Sequence, residues 1–269
     1  MAHHDRERAT ESRIYQLPRC YDLAFGQDLP IEGTLVEQCF RDHVSYPVRT
    51  VLEPGCGTGL VVLLLAQRGF RVTGYDLSPD MVAYARERIG KTGVKDLATV
   101  VVADMCTARF REPFDSALNV NDTLGYLVTD EDIISHLRNT ADAIKPGGIY
   151  IVSVSCAWDD LSSDEWEISW EISEDGITGR AEWDVEEQDW NKKLSHQVFR
   201  MQVNDHGKQY KLEERHTMRL WYLDDLRRLI RESGRFELEG IYNHLYEPVP
   251  MTSHINGEMD QLLYVLRAV

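Results

Sequence analysis

Long uncharged apolar runs are missing from this 269-residue chain. A run such as VVLLLA, Val61 to Ala66, falls far short of the about 20 residues that a bilayer-crossing helix needs, so no membrane partner is expected. The opening residues, MAHHDRERATESR, lack the apolar core of a secretory signal, and a soluble, cytoplasmic protein is expected. Positive charge is scarce as well: 29 Lys and Arg stand against 45 Asp and Glu, a formal net charge of -16. So acidic a surface repels a phosphate backbone, which argues against a nucleic-acid partner. The five cysteines, Cys20, Cys39, Cys56, Cys106 and Cys156, form an odd set without a CxxC pair. That pattern fits reduced thiols rather than a disulfide frame or zinc site, and His3-His4 in the polar leader reads as inert.

Short apolar runs alternating with amphipathic stretches fill residues 47–156, the pattern of a parallel sheet covered on both faces. Strands are predicted at Arg49–Glu53, Arg71–Asp76, Ala98–Asp104, Phe114–Val120 and Ile149–Ser155. Helices are predicted at Gly59–Arg68, Asp80–Ile89 and Asp130–Ile144, the second opened by Ser78 as N-cap with Pro79 behind it. Pro146-Gly147-Gly148 then stops the chain ahead of the fifth strand. Beyond it, WEISWEIS, ITGRAEWDVEEQDW, KKLSHQVFRMQV and KQYKLEERHTMRLW alternate polar with apolar residues and are parted by EDG, NKK and NDHG. These are hairpin signals for an antiparallel insertion. A helix at Leu223–Glu232 and strands at Phe236–His244 and Gln261–Arg267 close the chain.

VLEPGCGTGL, Val51 to Leu60, joins the first strand to its helix. Glycines there let the backbone approach a ligand, and the helix start offers unpaired N–H groups. A dinucleotide fingerprint, G-x-G-x-x-G, would need glycine where Leu60 stands. The chain instead has Glu53, Gly55, Gly57 and Gly59 at alternate positions.

That turn resembles motif I of the class I S-adenosylmethionine (SAM)-dependent methyltransferases. Three further stretches match the family in order: GYDLSPDMVAYAR, VVADM and NVNDTLGYL, followed by IKPGGIYIVSV. The resemblance implies an α/β fold, a Rossmann-like seven-stranded, mostly parallel sheet with helices on both faces and the antiparallel β insertion after strand five. It divides the chain into N-terminal lid helices (1–45), a SAM-binding core (46–157), the insertion (158–221) and a C-terminal completion of the core (222–269). SAM is the implied cofactor and S-adenosylhomocysteine (SAH) the product, with no metal expected. The cofactor-binding residues it implies are Tyr15, Glu53, Gly55, Cys56, Gly57, Gly59, Asp76, Leu77, Met81, Asp104, Met105 and Asn119. Asp76 takes the ribose hydroxyls, Asp104 and Met105 the adenine, and Glu53 the cationic end.

Subclass marks narrow the reading. The (N/D)PPY-type tetrapeptide of many amino-methylating enzymes is replaced by NVND, and the double-Glu hairpin of arginine methyltransferases is absent. What does match is a small-molecule group that includes bacterial aminosugar N-methyltransferases and glycine N-methyltransferase-like enzymes. The expected reaction is in-line transfer to a nitrogen or oxygen of a small, secondary-metabolite acceptor, an amine or an aromatic compound. Carbon methylation of an indole-type acceptor and a non-catalytic SAM-binding regulator stay open as alternatives.

Candidate catalytic residues are Tyr21, Tyr126 and His216, with Phe25, Trp166, Trp170, Arg219 and Trp221 near the acceptor. Each aromatic is equally readable as packing, and His216 as a structural histidine. Between Asp159 and Asp189 about a dozen carboxylates stand against one arginine. They read either as a lure for a cationic acceptor or as a solvated sheet face. The inserted sheet could also pair between two copies in a homodimer.

Overall fold

Five segments that are apolar on both faces pair as parallel strands because both faces of the sheet are covered by helices. The computed structural model describes residues 14–26, 33–154, 167–243, 245–250 and 262–269. Trp166, Cys156 and the His3-His4 pair lie outside them, as do Ser155 and Gln261 at the expected strand ends. The strands are β1 (Thr50–Pro54), β2 (Arg71–Asp76), β3 (Ala98–Val102), β4 (Ser116–Asn119) and β5 (Ile149–Val154), joined by β10 (Phe236–Tyr242) and β11 (Leu262–Ala268). Their order is β10-β11-β5-β4-β1-β2-β3, with β11 antiparallel to both neighbours. This is the expected seven-stranded, mostly parallel sheet. β4 is shorter than its apolar run because Phe114 bridges to Ile144 instead of joining the ladder.

Alternation sorts the core into two layers. Val51, Ile149 and Ile151 face one way, packing with α2 (Gly33–His43), α3 (Leu60–Gln67) and α4 (Pro79–Gly90) once α1 (Pro18–Phe25) has entered the fold. Leu52, Tyr150 and Val152 face the other way, against α5 (Asp130–Ala143) and α6 (Leu223–Ser233). Ser78 caps α4 as its position predicts, its Oγ accepting the Met81 N–H at 3.3 Å. Among the described residues no helix is long and apolar enough to cross a membrane.

The insertion is a four-stranded antiparallel sheet, β6 (Glu167–Glu174), β7 (Ile177–Asp189), β8 (Leu194–Asp205) and β9 (Lys208–Arg219). Its inner face, with Ile172, Ala181, Phe199, Met201 and Leu212, buries Leu23 and Ala24 of α1 in a third core. Outside, Glu182 pairs with Arg180, Asp184 with Arg200, and Glu186 with Arg215. These acids of the insertion form a solvated, ion-paired face. Of the segment ahead of β1, α1 sits on the inserted sheet, whereas α2 belongs to the helical layer of the core.

At the amino ends of the strands Asp115 gathers the Arg49 and Thr50 N–H groups (2.7 and 2.8 Å) and the Lys145 ammonium (2.6 Å). Burial alone would raise its pKa, but Lys145 and the two amides outweigh it and hold the carboxyl below its ordinary value. A depressed carboxylate pKa contributes stability that is present above the unfolded value, about 3.9, and is lost as pH falls through the folded one. Asp115→Ala should cost about 3 kcal/mol in urea unfolding at pH 7, from charged hydrogen bonds lost and donors stranded. The difference from wild type should shrink as the pH is lowered past 4 (about the carboxylate range).

Candidate functional site

The chain runs β1 to β3 toward one edge and places β4 on the other side of β1. A crevice opens where strand order reverses, at the carboxyl ends of β1 and β4, and ligands of open α/β sheets bind there. The glycine turn follows β1, and the loop from Val120 to Tyr126 follows β4, which ends at Asn119. Gly55, Gly57 and Gly59 all have positive φ, 64°, 52° and 76°. A Cβ on Gly55 would lie 2.4 Å from Thr123 Cγ2, and one on Gly59 3.0 Å from the Ala85 Cβ, so both positions also need the absence of a side chain. Gly59 begins α3 with no side-chain cap, and within that first turn the Val62 N–H is given to the Glu53 carboxyl.

Two acids end the adjoining strands. Asp76 accepts the Gly57 N–H on Oδ2 (2.8 Å) and the Ser78 N–H on Oδ1 (2.9 Å), which fixes the carboxylate while leaving lone pairs for a ligand. Burial raises its pKa, and those amides, with that of Leu77, oppose the rise. Glu53 is 4% exposed and its Oε2 has no hydrogen-bond partner. Burial first, then the charge of Asp76, pushes its pKa well above the carboxylate range. Asn119 is fully buried, donates to the Pro54 carbonyl at 2.7 Å and leaves its Oδ1 unpaired. Two unpaired buried oxygens beside a glycine cradle suit a ligand carrying N–H groups or positive charge.

Other residues of the turn contribute less directly. Cys56 gives its N–H to the Tyr75 carbonyl (3.0 Å), and its side chain fills the space over Gly74, where a Cβ would come within 2.8 Å of Sγ. Met81 is buried at the start of α4. Asp104 receives the Cys106 N–H at 2.7 Å, and Met105 packs partly buried against the core. Sequence reasoning missed the supports of that loop. From α5, Ser135 and Asn139 donate to the Cys106 carbonyl, and His136 lies 3.3 Å from the Met105 carbonyl and 2.7 Å from the Tyr150 hydroxyl. Burial drives the His136 pKa down to about 4, so it is a neutral strut. Their spacing on one helix face was the available signal.

Between the loop after β4 and the inserted sheet the structure brings Tyr15, Tyr126 and His216 together. The Tyr15 O–H donates to the Tyr126 hydroxyl at 2.5 Å, and that hydroxyl lies 3.4 Å from His216 Nδ1. His216 stacks on Trp183 with centroids 5.2 Å apart. Burial lowers its pKa, and Glu214 opposes the shift. Tyr21 borders this cluster, its ring 5.9 Å from that of Tyr15 and 4.0 Å from the Cβ direction of Gly57, and its hydroxyl, pushed up to about 12 by burial, accepts from Asn121 at 3.5 Å. Phe25 and Trp170 dock α1 on the inserted sheet, Trp170 Nε1 donating to the Ala24 carbonyl at 2.7 Å. Arg219 pairs with Asp130 at 2.6 Å and lies over Trp221, anchoring β9 to α5. Among the described residues no group of three or more His, Cys, Asp or Glu is placed to hold a metal ion.

Fold, glycine turn and strand-end acids define a protein of the class I SAM-dependent methyltransferase fold. Residues 51–148 match the family model described as a methyltransferase domain, so the resemblance seen in the sequence holds over that stretch. Among solved structures, a SAM-dependent methyltransferase of Clostridium acetobutylicum superimposes with a TM-score of 0.72 at 17% identity, covering 93% of this chain and 96% of that one. The sugar N-methyltransferase KedS8 of a Streptoalloteichus species does so at 0.69 and 18%, covering 90% of each. In sequence, dTDP-3-amino-3,4,6-trideoxy-alpha-D-glucopyranose N,N-dimethyltransferase of Streptomyces venezuelae is 27% identical over 49% of this chain and 54% of its own length. The chain spans about half the length of the curated relatives it matches.

Glu53 gives a direct test of the cradle. An acid whose folded pKa is raised binds its proton more tightly folded than unfolded, so its contribution is most favourable below the unfolded value, about 4.3, and declines as pH rises toward the folded one. Ligand-free Glu53→Gln should therefore escape that decline. Its Tm should equal that of the wild type near pH 4 (about the unfolded value) and exceed it at pH 8, as read by thermal unfolding across the range.

Proposed function

We propose that this protein is a SAM-dependent methyltransferase acting on a nitrogen or oxygen of a small-molecule acceptor. The observation that carries the reading is the unpaired, buried Oε2 of Glu53 beside the glycine cradle and the fixed carboxylate of Asp76. A buried carboxyl oxygen without a partner is costly unless a cation or donor meets it, and SAM has both a sulfonium and an ammonium group. Asp76, with two amides already oriented on it, is suited to a pair of ribose hydroxyls. Asp104 and Met105 are suited to the adenine, and the uncapped start of α3 to the methionine carboxylate.

SAM supplies a methyl group already activated by a sulfonium, so in-line displacement needs alignment and dryness more than acid catalysis. Tyr21, over Gly57, closes the cradle in this reading. Tyr126, backed by His216, is the group that takes the acceptor's proton. Burial keeps His216 neutral near pH 7 and so able to act as a base. A nitrogen acceptor accords with the aminosugar dimethyltransferase among the sequence relatives. Phe25 and Trp170 are engaged in holding α1, while Tyr15, Tyr126 and Trp183 around His216 keep an aromatic acceptor as the alternative.

Calorimetry should show SAM and SAH binding with one site each, and an intact fold that binds neither would refute the reading. Asp76→Ala should weaken both by about 1.5 to 3 kcal/mol, the range for hydrogen bonds to a charged group.

A further inference from the structure

The end of the Tyr15–Tyr126–His216 chain is Glu214, one strand alternation before His216, a residue that nothing in the sequence distinguished from the other acids of the insertion. Its Oε2 lies 3.9 Å from His216 Nε2 and accepts the Ile14 N–H at 3.1 Å. Its side chain is 8% exposed, and that of His216 4%. His216 is met on its remaining sides by Tyr126 from the loop after β4, Tyr15 from the N-terminal segment and Trp183 from β7. Among the described residues Glu214 is the charged group whose field reaches it. His216 Nε2 has no hydrogen-bond partner although it is buried, so its proton or lone pair is directed into the space that Glu214 borders.

From this geometry we infer that Glu214 is a positioning residue: it sets the His216 tautomer, steadies the imidazolium formed when the acceptor gives up its proton, and ties that function to docking of the N-terminal segment. A carboxylate beside Nε2 favours the proton there and leaves the Nδ1 lone pair toward the Tyr126 hydroxyl. Proton release is then balanced. The acceptor's N–H or O–H bond breaks and its proton joins the Tyr126 oxygen, while the Tyr126 O–H breaks and its proton joins Nδ1. The ring becomes an imidazolium 3.9 Å from a carboxylate. Because the same Oε2 holds the Ile14 amide, the field at His216 depends on the N-terminal segment being seated.

The source of the proton rests on the proposed methyl transfer, but the test does not need an acceptor. The His216 ring is followed by nitrogen NMR in 15N-histidine-labelled full-length protein, with and without SAH, and assigned by its loss in His216→Asn. Wild type should show the Nε2–H tautomer. Glu214→Gln keeps an oxygen for Ile14 but removes the charge, so the His216 pKa should fall by about one unit. Glu214→Asp should restore part of it. Amide exchange over residues 14–25 should remain slow in Glu214→Gln and quicken in Glu214→Ala. An unchanged His216 titration in Glu214→Gln, or an Nδ1–H tautomer in the wild type, overturns the inference. Failure of SAH to bind in the same samples would instead overturn the methyltransferase reading and leave the His216–Glu214 result standing.

Discussion

Two carboxylates placed side by side at the ends of β1 and β2, under a turn too tight for side chains, are the constraint around which the rest is arranged. Burial and the charge of Asp76 both raise the Glu53 pKa, and among the described residues no lysine or arginine forms an ion pair with either acid. Asp76 is tolerated because backbone N–H groups converge on it. Those amides are available only because Gly57 takes a positive φ and Ser78 begins a helix. Glu53 has no such compensation on Oε2, and its burial is a stability cost.

The two halves of the site are built on different physics. Around the glycine turn, backbone atoms and short side chains of parallel strands hold every group, so the geometry is as rigid as the sheet. Around Tyr126, side chains from three separate elements meet: the N-terminal segment, the loop after β4 and the inserted sheet. Asn121 and Asp122 in that loop both hold positive φ, 65° and 54°, which turns the chain sharply enough to direct Tyr126 toward β9. On the sheet side, the β-bulge between Val185 and Glu187 resets the alternation, so that Gln188 shares the face of Ser195 and Met218.

This contrast explains what was legible in the sequence. Apolar runs and glycine punctuation located the parallel strands within a few residues, and Ser78, Asp76 and the alternate glycines were readable because local spacing fixes their roles. Glu214 was not readable, since its meaning comes from a partner on the next alternation and an amide two hundred residues away. Tyr15 and Tyr21, six residues apart with rings 5.9 Å from each other, could not be assigned their separate hydroxyl partners, Tyr126 and Asn121, before the turn into α1 set their directions. The run of acids invited an electrostatic reading, yet strand alternation sends Glu182, Asp184 and Glu186 outward to arginine partners.

The N-terminal segment, like the loop after β4, touches both halves. Arg88 joins Asp22 to the Thr58 carbonyl of the glycine turn, Ser78 donates to the Tyr15 carbonyl, Ile14 reaches Glu214, and Trp170 reaches the Ala24 carbonyl. A hydrogen bond nets about 1 kcal/mol, and ordering one residue's backbone costs about as much, so these contacts alone do not hold a segment of this length. Burial of Leu23, Ala24 and the Phe25 ring against Phe199 supplies the remainder. Seating this one segment places Tyr15 on Tyr126 and Ile14 on Glu214 together, so the contacts at the loop after β4 and on the inserted sheet depend on the same docking.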